Sequence, residues 1–294
     1  MDIHIVNRIK RLAIIALASD DELVEALVLK GGNAIDLSYQ QQGIGHGART
    51  SFDLDYSIDH GDFDKDLPIA DRIERTLAQT FNEDGYTMID YSFGPKPKIA
   101  REEVADFWGG YKVEFKVISN SLYEENKEDP KKLSRMSIPV NMDNSPKFEL
   151  EFSKFEFVEK KVEAHVDGFK IYVYTPEMIV FEKVRALCQQ LPRYKEVVPS
   201  FSPRARAKDF YDIHLMVEQY KIDPGTTENL ELIQNIFSAK KVPVGFIKDL
   251  QSGSAFHADN WKDVVVTLPA SEALETFEYY RDYVVNKFAS LTFP

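Results

Sequence analysis

The sequence predicts an α+β chain in which a mixed-sheet domain, residues 1–175, is followed by a helical domain, residues 176–294. Two observations predict it. Alternating apolar and polar runs, the signature of half-buried strands, recur up to about residue 175 and then give way to apolar positions at helical spacing. The chain is also long enough, at 294 residues with 44% hydrophobic and 29% charged, for one large domain or two ordinary ones.

The elements follow in order. Ile5, Ile9, Leu12 and Ala16 repeat at helical spacing over residues 3–18, and Asp20 can cap a short helix or lead into the apolar run Leu-Val-Leu-Lys ending at Lys30. Gly31 and Gly32 interrupt, and Asn33 is placed to cap a helix to about Gln42. The glycine-rich stretch 43–47 reads as a loop; it lacks the strand-turn-helix order of a dinucleotide-binding turn. Phe52–Ile58 alternates as a strand, the stretch ending near Gly85 is helical, and Tyr86–Phe93 and Tyr111–Ile118 are further strands. Residues 119–146, polar and interrupted by proline, read as an irregular crossing segment. The runs KFELEFSKFEFV and KKVEAHVDGFKIYVYTP follow as strands, with Asp167-Gly168 as a hairpin turn. From Pro176 onward the pattern is helical, and no internal repeat is visible.

The apolar runs are far shorter than the roughly 18 to 20 residues of a membrane span, so no membrane association is expected. The N-terminal basic and apolar stretch reads as an amphipathic helix rather than a signal peptide. A single cysteine, Cys188, suits a reducing cytoplasm, and no Cys/His cluster has zinc-ligand spacing. A net charge of −12 argues against a protein that coats nucleic acid non-specifically. Between Lys183 and Lys208, however, Lys183, Arg185, Arg193, Lys195, Arg204, Arg206 and Lys208 gather with Glu196 as the only acid, a local field able to attract an anion.

Asp53 and Asp55 are the first chemistry-bearing pair. Residues i and i+2 of a strand share a face about 6.5 to 7 Å apart, so the two acids point one way while Phe52, Leu54 and Tyr56 point the other. Like charges this close favour a bound cation, and hard carboxylate oxygens suit Mg²⁺. About twenty residues earlier, Gly31-Gly32 before a helix would let backbone N–H groups approach a phosphate. A third acid from a neighbouring strand would complete a two-metal site; Glu151 is favoured, with Glu149 and Glu114 as alternatives.

The segments LVLKGGNAIDLSY, ARTSFDLDYSI, EKVRALCQQ and RARAKDFYDIHLM together resemble the AbiEii/AbiGii family of nucleotidyltransferase toxins, from about Leu27 to Met216. The resemblance implies a polymerase-β-like nucleotidyltransferase fold and an enzyme that uses Mg²⁺ or Mn²⁺ with a nucleoside triphosphate. It assigns Lys30, Gly31 and Gly32 to the nucleotide phosphates, and Asp53 and Asp55 to the metal, with Ser51 and Arg49 just before them. It assigns Lys183 to the opening of a helical motif and Lys208, Asp209 and Asp212 to its second element, with Asp209 as a base or as the orienter of Lys183 or Arg206. It further implies an RNA acceptor, for some members the tRNA 3′ end, a cognate antitoxin, and a role in abortive infection and phage defence.

Overall fold

The structure, a computed structural model, describes residues 2–41, 53–65, 67–99, 102–141, 143–268 and 273–294. Its elements are α1 (Ile3–Ala18), α2 (Asp21–Ala26), β1 (Leu27–Lys30), α3 (Gly31–Gln41), β2 (Leu54–Ile58), α4 (Ile69–Glu83), β3 (Tyr86–Lys96), β4 (Gly110–Ser119), α5 (Asn120–Asn126), α6 (Pro130–Met136), β5 (Phe148–Ser153), β6 (Val162–Val166), β7 (Phe169–Val173), α7 (Pro176–Cys188), α8 (Ala207–Tyr220), α9 (Thr227–Ser238), α10 (Trp261–Val265) and α11 (Phe277–Phe288). They form two compact units. One comprises Met1–Asn33, Phe52–Arg101 and Trp108–Val173; the other comprises Ala34–Ser51, Glu102–Phe107 and Tyr174–Pro294.

The first unit is built on a seven-stranded sheet of order β3-β4-β5-β2-β1-β7-β6. It is mixed, as the alternation predicts: β1 runs antiparallel to β2 but parallel to β7, and β2 runs parallel to β5. Strand alternation sorts the side chains. On β5, Phe148, Leu150 and Phe152 are buried while Glu149, Glu151 and Ser153 between them are half-exposed. Phe115 of β4 meets Phe81 of α4 at 5.6 Å and Phe148 at 5.3 Å between ring centroids, and Tyr56 of β2 stacks on Phe152 at 5.8 Å. This aromatic layer buries one face, and the charged alternates are left on the other. Asp20 does both things its position suggests: its carboxylate accepts from the N–H groups of Glu22 and Leu23 at 3.1 Å, capping α2, which leads into β1.

Three local expectations change. Residues 119–146 are not irregular; they hold α5 and α6, the latter started by Asp129, whose carboxylate accepts from the Lys132 N–H at 3.0 Å, with Pro130 in the first turn. The strand expected through KFELEFSKFEFV stops at Ser153, and Phe155 takes a left-handed φ of 56°. Helix α3 begins at Gly31 itself, so Asn33 lies inside the first turn instead of capping it. The Asp167-Gly168 turn is as expected, with φ of 51° and 86°, the pair of positive values a two-residue hairpin requires.

The second unit is helical. Thr175 caps α7, its hydroxyl accepting from the Met178 N–H at 3.3 Å, and Pro176 opens the helix. Helix α8 has no capping side chain of its own. Its start is held instead by residues some fifty positions later: His257 Nδ1 accepts from the Arg206 N–H at 3.0 Å, and Asn260 Oδ1 accepts from the Ala207 N–H at 2.9 Å. Phe210 of α8 meets Phe277 of α11 edge-on at 5.4 Å. Cys188 is buried, which pushes its thiol up. Among the described residues, no helix is long and apolar enough to cross a membrane.

Candidate active site

The first cluster grows from the junction of β1 and α3. Lys30 ends β1 and Gly31 turns the chain with a φ of 69°, a conformation that L-residues with a Cβ adopt at a cost. A second constraint acts at the same residue. A Cβ on Gly31 would lie 2.7 Å from Oδ2 of Asp55, so the glycine leaves room for the carboxylate to pack against the turn. Asn33 adds a tie that the sequence did not suggest: its side-chain N–H donates to the backbone carbonyl of Asp53, fixing the approach to β2. The phosphate-binding turn and the aspartate pair expected from the sequence therefore come together locally at Gly31, Asp55 and Asp53.

Register extends the cluster across the sheet. Lys30 pairs with Asp55, Asp55 with Glu151, and Glu151 with Lys112, one residue from each of β1, β2, β5 and β4. Paired residues on neighbouring strands share a face, with strands about 4.8 Å apart. The face thus carries a row of charges in the order plus, minus, minus, plus, and its two central acids sit side by side. Leu54 and Tyr56 flank Asp55 in sequence and are buried, while Asp55 is half-exposed, so the alternation read from the sequence holds around Asp55; it ends at Ser57, which is buried as well. Asp53 lies just before the strand, in a bend, and is exposed.

The three candidates for a third acid separate on this register. Only Glu151 lies directly across from Asp55. Glu114 and Glu149 share the Lys112 ammonium at 2.7 Å and 2.8 Å. The hydrogen bond from Lys112 holds the Glu114 carboxyl well below the usual carboxylate range, down to about 2. Glu151 pairs instead with Lys96, from the end of β3. Lys30 is buried, and its ammonium lies 3.4 Å from the buried carboxylate of Glu156. It contributes fixed positive charge on the strand position paired with Asp55. Neither Lys96 nor Glu156 carries a sequence signal. Ser51 and Arg49, and the glycine-rich loop 43–47, lie outside the described residues.

Two adjacent carboxylates on a rigid face, with backbone N–H groups at a helix start beside them, fit a divalent cation by donor chemistry. Among the described residues, no three His, Cys, Asp or Glu side chains converge as a ready ligand set. Glu151 is paired with Lys96.

A second cluster lies within the helical unit. Lys183 of α7 is buried, and its ammonium donates to Asp209 at 3.1 Å and to Asp212 at 2.8 Å, both on α8. Arg206 also donates to Asp209. Burial pushes the Asp209 carboxyl up, but the charges of Arg206, Lys183 and Lys208 outweigh it and hold the group far below its ordinary value. Burial lowers the neighbouring His257 to about 4, which keeps its ring neutral and able to accept from Arg206. The basic run of the sequence is thereby divided. Lys183 and Arg185 are buried, Arg193 pairs with Asp249 at 2.7 Å, and Lys195, Arg204 and Lys208 are exposed, so the run is not one open positive surface.

Comparison with known proteins gives the chain its class, that of a nucleotidyltransferase. Residues 14–283 match the family described as nucleotidyl transferase AbiEii toxin of a type IV toxin–antitoxin system, and the chain belongs to that family, in agreement with the motifs around Gly31, Asp53 and Lys183. Among solved structures, JHP933 from Helicobacter pylori is 18% identical, with a TM-score of 0.49 over 95% of this chain and 88% of its own. A second H. pylori structure is 18% identical, with a TM-score of 0.48 over 96% and 92%. An antigenic nucleotidyltransferase-like protein from Paracoccidioides brasiliensis is 15% identical, with a TM-score of 0.32 over 83% and 94%. No curated protein sequence matches the chain.

Proposed function

We propose that the chain transfers a nucleotide from a nucleoside triphosphate to an RNA acceptor, the 3′ end of tRNA, and so blocks translation as the cytoplasmic toxin of a toxin–antitoxin pair that acts in phage defence. The observation that carries the nucleotide site is the packing of the Asp55 carboxylate against the left-handed turn at Gly31. That packing brings a helix start suited to phosphate and an acid suited to a cation within a few ångströms.

Backbone N–H groups at Gly31 and Gly32 bind the triphosphate oxygens, with the helix start adding favourable partial charge. Asp53 and Asp55, with Glu151 as the third ligand, would hold Mg²⁺ or Mn²⁺, which when bound would supply charge neutralisation on the phosphates. Lys30 and Glu156 fix the charge behind Asp55, and Asn33 fixes the backbone at Asp53. The acceptor hydroxyl oxygen forms a bond to the α-phosphorus, the bridging bond from that phosphorus to the β-phosphate oxygen breaks, and pyrophosphate leaves with the electron pair while the hydroxyl proton passes to solvent. Asp209 is an orienter in this reading: a carboxyl held so low is a poor proton acceptor, whereas its contacts to Lys183 and Arg206 fix both cations. Ser51 and Arg49 would complete the approach to the acids, and Lys208 and Asp212 the helical motif.

The test is to incubate the purified protein with each labelled nucleoside triphosphate, Mg²⁺ and total tRNA. Label on tRNA with at least one triphosphate is expected. Label only on a polypeptide or a small molecule would replace the acceptor, and nucleotide binding without transfer to any acceptor would reduce the chain to a nucleotide-binding module. A cognate antitoxin should suppress the growth defect that expression causes, and an Asp53→Ala chain should cause none.

A further inference from the structure

We infer that Lys96 is a positioning residue that competes with the divalent cation for Glu151, setting how tightly the sheet face takes up metal. The inference rests on the proposed cation site at Asp53 and Asp55 and adds a residue to which neither motif nor family match gives a role. The sheet carries an unfavourable electrostatic pairing. Asp55 and Glu151 are register partners on adjacent parallel strands, an arrangement in which like charges repel. A positive charge must relieve that repulsion for the strands to pair at low cost.

The neighbouring lysines divide this task unequally. Lys112, the register partner of Glu151 on the other side, turns its ammonium to Glu114 and Glu149 at 2.7 Å and 2.8 Å. Lys30, the register partner of Asp55, lies buried with Glu156. The ammonium that reaches Glu151 comes from two strands away: Lys96, at the end of the edge strand β3, whose register partner is Gly110. Gly110 has no side chain to block that reach. Its own backbone is so close to β5 that a Cβ there would lie 2.0 Å from the Phe152 carbonyl oxygen.

The Lys96 side chain is half-exposed and that of Glu151 is 29% exposed, so the pair sits at the water boundary and can open without unfolding its surroundings. Lys183, whose partners are buried, cannot exchange in this way. When Lys96 holds Glu151, that carboxylate is withheld from a cation. Release of Lys96 returns the third carboxylate, directly across from Asp55. Metal uptake by the protein is therefore an exchange of one cation for another at Glu151, and the lysine keeps free-metal affinity low until a metal–nucleotide complex arrives with its own contacts to the turn at Gly31.

Equilibrium titration of the full-length protein with Mn²⁺, following the free ion by electron paramagnetic resonance, tests this without reference to activity. Wild type, Lys96→Gln, Glu151→Gln, the double variant and Asp55→Asn are compared, each first shown to be folded by circular dichroism and thermal melting. Lys96→Gln should bind Mn²⁺ about two- to fivefold more tightly, the factor expected from losing one exposed ion pair. The gain should vanish in the Glu151→Gln background. An unchanged or weaker affinity for Lys96→Gln, or the same gain without Glu151, overturns the competition while leaving the metal site in place. Asp55→Asn binding Mn²⁺ as tightly as wild type overturns the cation site and the competition with it.

Discussion

The two ion networks of this protein use the same residue types and differ in surroundings. On the sheet, Lys96–Glu151 and Lys112 with Glu149 and Glu114 lie at the water boundary. In the helical unit, Lys183, Asp209 and Asp212 are nine-tenths buried or more. An exposed pair contributes little stability and can exchange partners; a buried one cannot lose a member without leaving an uncompensated charge. The first kind of network is suited to receiving an ion or a phosphate, and the second to fixing the direction of a side chain.

The largest test of that contrast is Lys183→Met, which leaves Asp209 and Asp212 facing each other without their shared ammonium. Chemical denaturation should show a loss of about 3–5 kcal/mol. A loss below about 1 kcal/mol would mean the network is open to water and the contrast is false.

The next effect is a pH dependence. His257 falls to about 4 in the fold against an ordinary 6.5, so between those values the unfolded chain takes up a proton that the folded chain refuses. Stability must fall as pH is lowered through that window, by about 2 kcal/mol between pH 7.5 and 5. Asp209, held below its ordinary value, gives the same direction only at still lower pH. His257→Gln should remove the upper step, as read from denaturation midpoints across pH.

Gly31→Ala is third in stability. The left-handed turn costs alanine about 1–2 kcal/mol, and the new Cβ forces the Asp55 carboxylate to move. Nucleotide transfer should fall much further than stability, because the displaced group is the proposed metal ligand. Equal losses in both would make the glycine merely architectural. Lys112→Gln, which removes a half-exposed ammonium from the sheet, should cost about 1 kcal/mol or less.

Much of the candidate site is legible in the sequence because it is local. Gly31, Asp53 and Asp55 occur within a short span, and strand alternation alone places Asp55 opposite Leu54 and Tyr56. The rest depends on pairing between distant segments. Glu151 is favoured over Glu149 and Glu114 in the sequence, but only the β2–β5 register sets it across from Asp55, and a shift of one residue would reverse that. Lys96 reaches Glu151 over a glycine on an intervening strand, a contact no spacing rule encodes. The start of α8 was hidden for a related reason: its caps, His257 and Asn260, come from a turn some fifty residues later. The charge cluster from Lys183 to Lys208 misled in the opposite way, since proximity in sequence did not reveal that Lys183 and Arg185 point inward.

In the proposed function, nucleotide transfer is centred on the turn at Gly31 and the acid packed against it. The most direct measurement compares label transfer from nucleoside triphosphates to tRNA by wild type, Asp55→Asn and Lys112→Gln, all verified as folded. Transfer by wild type and Lys112→Gln is expected at similar rates, with a loss of at least about a hundredfold for Asp55→Asn. Undiminished transfer by Asp55→Asn would contradict it.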